Sequence, residues 1–364
     1  MKVLIDIGHP AHVHIFKHFA WAMQKKNHTL FFTCRDKEFE VKLLKSYGFN
    51  YKILGRKYNS IIGKLWGLLK FDLKMVIEGL RQRPDVFLSH GSIYAAHAAF
   101  ILCKPHISLE DTGNKEQVRL YLPFTKAVLS PEGFQHNYGA KHLFYNGFHQ
   151  LAYLHKSRFT PDPTIYRHLG IEPQEKYIVV RFVSYNASHD ISYTVLNNND
   201  KIRIISEIPQ GYRIFISSEG ELPKALKRYA LTTKPELIHS VLAFASLYVG
   251  QSSTMAAEAA FLGVPSIFIH SDNEDTEGVI DYLDEKNIFK IVRYGEEQLT
   301  RILDTINLLL ENKEHEKRDF SSTYIDVSDY LTWFVENFPE SFELQKKDKT
   351  LPDRFIKKND TEQK

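Results

Sequence analysis

Short apolar runs alternate along this chain with longer stretches in which apolar residues return every three or four positions. KVLIDI (2–7), TLFFTC (29–34), YKIL (51–54), DVFLS (85–89), HISLE (106–110) and KAVLS (126–130) have the length and the β-branched or aromatic content of buried strands. Residues 12–26, 36–47, 60–82 and 92–103 carry the helical period and fall between most of them. A βαβ series of this kind predicts a parallel sheet with helices on both faces and right-handed crossovers. The alternation pauses over 147–175, where Pro161, Pro163 and Pro173 interrupt the chain. It resumes with KYIVVRFV (176–183), YRIFIS (212–217), SLYVG (246–250) and PSIFIH (265–270), and with helical stretches over 236–245, 252–262, 276–286 and 296–312. The pattern therefore divides the chain into a Rossmann-like domain over 1–150, a linker over 151–175 and a second Rossmann-like domain over 176–330. A helix over 331–345 is expected to pack back on the first domain, and the polar stretch 346–364 is expected to be disordered. Two such halves are expected to face each other across a cleft, with ligands beyond the carboxyl ends of the strands.

Composition narrows the class. A length of 364 residues suits two domains, and 43% hydrophobic with 25% charged residues is a soluble globular balance. No apolar run approaches the roughly 20 residues that cross a bilayer, and the N-terminus lacks the apolar core of a signal peptide. A cytoplasmic setting follows, and two cysteines, Cys34 and Cys103, make no disulfide framework. The net charge of +3 hides an asymmetry: residues 1–150 hold 21 Lys/Arg against 11 Asp/Glu, and the remainder 26 against 33. Attraction of the basic half to anionic membrane or to a phosphate-bearing acceptor accounts for this, as does unevenness among solvated faces. Basic and acidic residues are interleaved without a Lys/Arg block, which argues against nucleic acid.

Two stretches carry most of the chemistry. In VGQSSTMAAEAAFLGVPSIFI (249–269), a strand ending at Gly250 runs into Ser252, Ser253 and Thr254 at the start of an alanine-rich helix. Glycine admits a ligand to the backbone, and free N–H groups, the helix dipole and three hydroxyls make an anion site suited to a diphosphate. Glu258, one turn on from Thr254, is placed to accept hydrogen bonds from ribose hydroxyls; an ordinary capped helix with a surface Glu has the same pattern. In GHPAHVH (8–14), Pro10 fixes the turn, and His9, His12 and His14 offer metal-like HxxH and HxH spacings without a third ligand motif. No metal is assigned there, and helix-start histidines remain the plain alternative.

Other candidates lie at strand ends. Ser89, His90, Gly91 and Ser92 close the fourth strand, where Gly91 and Ser92 are placed to meet an acceptor phosphate or only to start a helix. Glu110 and Asp111 close the fifth, as a base, as partners of His12 or as a helix cap. Arg181 ends the strand that opens the second domain, SSEGEL (217–222) suits the rim of a base pocket, and His239 opens a helix near the Ser252 turn. SDNED (271–275) reads as a solvated acidic loop. IIGKLWGLLKFDLKMVIEGL places Trp66, Leu69, Lys70 and Lys74 on one helix, which suits either a core or a membrane surface.

IHSVLAFASLYVGQSSTMAAEAAFLGVPSI resembles the donor-nucleotide region of GT-B glycosyltransferases and of non-hydrolysing UDP-N-acetylglucosamine 2-epimerases. MKVLIDIGHPAHVHIF, RPDVFLSHG and TMAAEAAFLGVPSI together resemble a poorly characterised prokaryotic family of GT-B-like proteins associated with surface-glycan synthesis, over about residues 1–330. The order of segments is also similar to that of the lipid-linked N-acetylglucosaminyltransferase of peptidoglycan synthesis. There a glycine turn ending in His-Val follows the first strand, Gly-Ser opens a helix after strand four and an acidic segment, here LEDTGN, follows strand five. The resemblance implies an α/β protein of GT-B architecture that moves a sugar from a nucleotide-sugar donor to a glycan or lipid-linked acceptor. It places His12 at the cleft as general base, aided by Glu110 or Asp111, with His9, His90, Gly91 and Ser92 towards the acceptor. Gly250, Ser252, Ser253, Thr254 and Arg181 would hold the diphosphate, Glu258 the ribose and His239 the nucleobase. No cofactor is implied, since dipole and side chains neutralise the leaving group. The loop FVSYNASHD lacks the peptidoglycan enzyme's GGSQG, and GHPAH replaces the epimerases' Gly-Thr-Arg-Pro-Glu turn. An epimerase, a nucleotide-sugar hydrolase and a non-catalytic binding protein are the alternatives.

Overall fold

The structure, a computed structural model, describes residues 1–36, 39–56, 61–183, 196–271, 279–294, 299–311 and 319–357. It divides into two compact units, the first formed by Met1–Phe159 with the segment from Phe320 onward, the second lying between Thr160 and Asp319.

In unit 1, β1 (Lys2–Ile7), β2 (Thr29–Arg35), β3 (Tyr51–Gly55), β4 (Val86–His90), β5 (His106–Leu109), β6 (Ala127–Pro131) and β7 (His142–Tyr145) form one sheet in the order β3-β2-β1-β4-β5-β6-β7. Every pairing in it is parallel. The near-continuous apolar run of β1, buried from Val3 to Ile7, is what burial of a parallel strand on both faces requires. Helices α1 (Pro10–Lys25), α2 (Glu40–Ser46), α3 (Ile61–Gln82), α4 (Ile93–Ile101) and α5 (Lys115–Tyr121) make the crossovers. The chain reverses its strand order between β1 and β4, so the carboxyl ends of those two strands open the crevice where such sheets bind ligands. β7 is too short and too close to the proline-rich stretch to stand out in the sequence.

The expected linker and tail are more ordered than their composition indicates. Residues 151–154 form α6 (Leu151–Leu154), wholly buried against α1, so the unit boundary falls near Phe159 rather than at 150. α13 (Val327–Glu336) also packs on α1, with Val327, Tyr330, Leu331 and Phe334 fully buried. The polar stretch expected to be disordered is structured over 346–357, and 358–364 lie outside the described residues. α14 (Glu340–Lys347) leads to a short 3-10 turn that lays the Arg354 guanidinium 4.1 Å over the Trp333 ring and pairs Ile356 with Ile325. A few apolar anchors, Pro352 and Phe355 among them, hold an otherwise charged segment.

Unit 2 opens with α7 (Ile165–Leu169) and builds a second sheet from β8 (Lys176–Phe182), β9 (Tyr212–Ser218), β10 (Leu247–Gly250), β11 (Ser266–Ser271) and β12 (Lys290–Tyr294). Its order is β12-β11-β10-β8-β9, parallel throughout, with the reversal between β8 and β10. α8 (Asn198–Ser206), α9 (Ile238–Ala243), α10 (Ser253–Phe261), α11 (Ile280–Glu285) and α12 (Leu299–Glu311) surround it. Ile178, Val180, Leu247, Val249, Ile267 and Ile302 lie at the centre of its core. Most of FVSYNASHD and of SDNED lies outside the described residues.

Candidate functional site

In unit 1 the candidate residues gather where the strand order reverses. Gly8 and His9 follow β1, His90 ends β4, and Glu110 and Asp111 follow β5. His9 is the N-cap of α1, its Nδ1 accepting from the Ala11 N–H at 3.2 Å, and Pro10 takes the first helical position, where the missing N–H costs nothing. His12, one turn into α1, is half-buried and stacks on His90 with ring centroids 4.5 Å apart. The Gly8 N–H points at its Nδ1 at 3.3 Å. His14 turns to the other side of the helix, where it is buried against Tyr47 and Tyr153 as a packing residue.

Asp111 is the electrostatic centre. His90 Nε2 lies 2.9 Å from one carboxylate oxygen, and His149 Nδ1 lies 3.0 Å from the other. Neither ring nitrogen of His149 has a hydrogen-bond partner among the described residues, nor has the buried Tyr145 hydroxyl. Burial pushes the Asp111 pKa up, but His149 and His90 outweigh it and hold the carboxyl well below the usual range. Burial likewise opposes protonation of His90, and Asp111, by charge and by hydrogen bond, lifts its pKa above the ordinary value. His12 goes the other way: desolvation, then the neighbouring His90 and His9, push it well below. The two stacked imidazoles are thus pushed in opposite directions, His12 towards the neutral form and His90 towards the protonated one. His90, Asp111 and His149 have ligand atoms within 4.8 Å of one another and are the group among the described residues that could hold a metal ion.

The two acids that sequence leaves equivalent are separated by direction. Glu110 is buried and accepts from the Thr112 N–H (2.8 Å), the Thr112 hydroxyl (2.7 Å), the Gly113 N–H (3.1 Å) and the Tyr121 hydroxyl, so it pins the β5–α5 turn instead of orienting His12. Gly91 and Ser92 likewise form an internally satisfied turn. The Gly91 N–H bonds Ser108 Oγ (2.9 Å), the Ser92 N–H bonds Ser89 Oγ (3.0 Å), and Ser92 caps α4 while donating its hydroxyl to Asp6. These N–H groups are already used, which removes the phosphate role expected for them. Asp6 also accepts from Thr33 (2.8 Å) and pairs with Arg35 at 3.0 Å, and Arg35 donates to the Ile7 carbonyl beside Gly8. The signal for this network was a carboxylate inside a buried strand, which demands partners. His149 had no such signal, because it lies in the stretch between the two strand series.

In unit 2, Arg181 and Gly250 face each other across the β8–β10 reversal. A Cβ on Gly250 would sit 2.7 Å from the Arg181 carbonyl and 2.7 Å from its Cβ, so strand packing itself requires glycine there. The Arg181 guanidinium is not free: it bonds Ser217 (2.7 Å) and Glu219 (2.6 Å), with Nε buried and without a partner among the described residues. Ser252 is the N-cap of α10 and accepts from the Met255 N–H at 3.3 Å. Ser253 and Thr254 differ from the unit 1 turn. Half-exposed at the helix start, they have no hydrogen bond to their hydroxyls among the described residues, and first-turn N–H groups lack helical partners by geometry. Glu258 points inward instead of lying on the surface: it is buried and meets the buried His239 Nε2 at 3.3 Å. Ser217 and Glu219 of the expected base-pocket rim are the partners of Arg181.

A family model described as "Protein of unknown function (DUF354)" matches residues 1–339. This chain belongs to that family. A relative in length and sequence is uncharacterized protein MJ0665 of Methanocaldococcus jannaschii, 25% identical over 333 residues, which are 85% of this chain and 94% of that protein. Among solved structures, the UDP-GlcNAc 2-epimerase of M. jannaschii in complex with UDP-GlcNAc and UDP superposes with a TM-score of 0.64 at 12% identity, over 92% of this chain and 99% of that one. The Neisseria meningitidis UDP-GlcNAc 2-epimerase bound to UDP-GlcNAc gives 0.63 at 13% identity (93% and 100%). The glycosyltransferase VinC in complex with dTDP gives 0.57 at 13% identity (94% and 100%). This DUF354 chain therefore has the α/β fold of two Rossmann-like sheets shared by GT-B glycosyltransferases and these epimerases.

Proposed function

We propose that this protein is a nucleotide-sugar-dependent glycosyltransferase that acts from the cytoplasm in surface-glycan synthesis. The observation that carries this reading is the open start of α10: Ser253 and Thr254 hydroxyls without a hydrogen bond among the described residues, beside Gly250, at the strand-order reversal of unit 2. Solved relatives of the same fold hold UDP-GlcNAc, UDP and dTDP. In this reading the helix start takes the diphosphate, and Glu258, released from His239, takes the ribose hydroxyls. Arg181, already balanced by Glu219, positions the turn and adds little net charge.

On unit 1, His12 is held neutral, the form a base needs. With the Gly8 N–H on Nδ1, that nitrogen carries the lone pair, and a 3.3 Å contact is weak enough to yield to an acceptor hydroxyl. The acceptor proton passes to His12 as its oxygen forms the new bond to the anomeric carbon. The bond from that carbon to the diphosphate breaks, and its electron pair stays on the phosphate oxygen under the α10 dipole. The basic character of residues 1–150 suits a glycan or lipid-linked acceptor that carries phosphate.

One observation favours a second reading, epimerase or hydrolase. His12, whose neutral form is favoured, stacks on His90, whose protonated form is favoured by Asp111, and the pair would supply a base and an acid on one unit without any acceptor. Incubation with single UDP-, GDP-, CMP- and dTDP-sugars, with and without lipid-linked acceptors, separates the two. Acceptor-dependent release of nucleoside diphosphate or monophosphate supports transfer; an epimer or free sugar without acceptor supports the second reading. Absence of saturable binding by every donor, or binding that survives Ser253→Ala with Thr254→Val unchanged, overturns both.

A further inference from the structure

The face of α3 that points away from the sheet is apolar and uncovered. Trp66, Leu69, Leu73, Ile77 and Leu80 are each between 53% and 66% exposed. At 3.6 residues per turn they fall within about 80° of arc, in one stripe about 21 Å long. Single exposed leucines need no explanation, but a continuous stripe of large apolar side chains marks an interaction surface. Phe100 (63% exposed) and Ile101 (58%) are further exposed apolar side chains at the end of α4, a helix that packs on α3. The opposite face of α3 is ordinary core, with Phe71 and Met75 buried beside Phe87 and Leu4.

We propose that this stripe docks the protein on the surface of an anionic lipid bilayer, with α3 lying in the plane of the interface. Charge selects this partner. Lys70 and Arg81 lie along one edge of the stripe, where long basic side chains reach headgroups while leucines enter the acyl boundary; Lys74, between them, turns inward to the Leu54 carbonyl. The acids of the helix do not face the stripe: Glu78 is buried against Gln82, its other oxygen 3.7 Å from the exposed Arg81 guanidinium, and Asp72 is bonded to His97. A second copy of this chain would bring the same basic edge against itself across a two-fold axis, and like charges oppose that contact. Among the described residues no helix is long and apolar enough to cross a membrane, so the stripe serves a surface-lying helix. The proposal stands on α3 alone and does not depend on the nucleotide-sugar reading.

The test is flotation of the full chain with vesicles of phosphatidylcholine alone or mixed with phosphatidylglycerol, with light scattering of the lipid-free protein for its mass. The expected result is flotation with the anionic vesicles, weakened by salt, and a monomer in their absence. Leu69→Glu with Leu73→Glu lowers the bound fraction by at least about 10-fold, since a carboxylate must then enter the acyl boundary; Lys70→Glu with Arg81→Glu lowers it while leaving the leucines in place. Both pairs are surface substitutions, so unchanged thermal unfolding certifies the fold, and unchanged nucleotide-sugar binding keeps the two proposals apart. No vesicle binding, binding indifferent to both variants, or a stable dimer that the Leu69→Glu, Leu73→Glu pair dissociates overturns the proposal.

Discussion

Asp111→Asn keeps the shape of the side chain and removes the charge that His90 and His149 face at 2.9 and 3.0 Å. Breaking a buried ion pair from one side costs about 3–5 kcal/mol, because the remaining charge has no other partner. The Asp111 side chain is 19% exposed, which lets water in and puts the expectation at the low end, about 3 kcal/mol. The cost depends on pH with a sign fixed by two shifts. The His90 pKa is raised in the folded state, so its share of stability is fully present below the free imidazole value and is lost as pH rises through the raised value. The Asp111 pKa is depressed, so its share is present above the free carboxylate value and is lost as pH falls through the depressed one. The difference between wild type and variant is therefore widest between about pH 4 and 6.5 and narrows in alkali, where His90 sheds its proton. All three tryptophans, Trp21, Trp66 and Trp333, belong to unit 1, so tryptophan fluorescence in urea follows this unit alone. Equal destabilisation at about pH 6 and about pH 9 would refute the ion-pair account.

His12→Ala should lower turnover by about 10²–10⁴-fold with donor affinity unchanged. Since the His12 pKa is held well below 6.5, the acid limb of the wild-type rate should lie well below that pH, and a limb at or above it in kcat counts against His12 as base. Gly250→Ala forces a Cβ to 2.7 Å from the Arg181 carbonyl, and such overpacking should cost unit 2 about 1–3 kcal/mol. Calorimetry resolves it as a downward shift of one transition, and an unshifted trace means the strands simply part. Glu258→Gln removes the charge beside His239 with little change of shape and should weaken nucleotide-sugar binding by about 10- to 100-fold in titration calorimetry. Full affinity would assign Glu258 to holding His239 alone.

The strands were legible where a parallel sheet buries both faces, because only uninterrupted apolar runs such as KVLIDI and KYIVVRFV satisfy that demand. β12 escaped for the opposite reason. KIVRY lies at a sheet edge, and its Lys290 and Arg293 break the run. The turn at α10 was legible because Gly, Ser and Thr in sequence carry their chemistry on the backbone and the hydroxyls. The partners of each charge were not. Neighbouring Glu110 and Asp111 look alike in a string of letters, yet one turns into its own loop and the other towards histidines 21 and 38 residues away. In the sequence Arg181 and Glu258 have the pattern of ligand-binding groups, and what it does not show is that each buried or half-buried charge also meets a protein partner, Glu219 and His239.

Unit 1 is interrupted by the whole of unit 2, and this gives its assembly an order in time. The hydrophobic seat on α1 is made within the first 25 residues, but α13, which fills it with Tyr330, Leu331 and Phe334, leaves the ribosome after a further three hundred. Translation at about 5–20 residues per second leaves roughly 10–30 s between Phe159 and Phe320, the two ends of the gap. That interval is the synthesis of the inserted unit itself, whose sequence is complete only at its end, and throughout it the host waits with an open apolar seam for its closing strap. A nascent chain stalled shortly before residue 327 should hence be the form most in need of a chaperone.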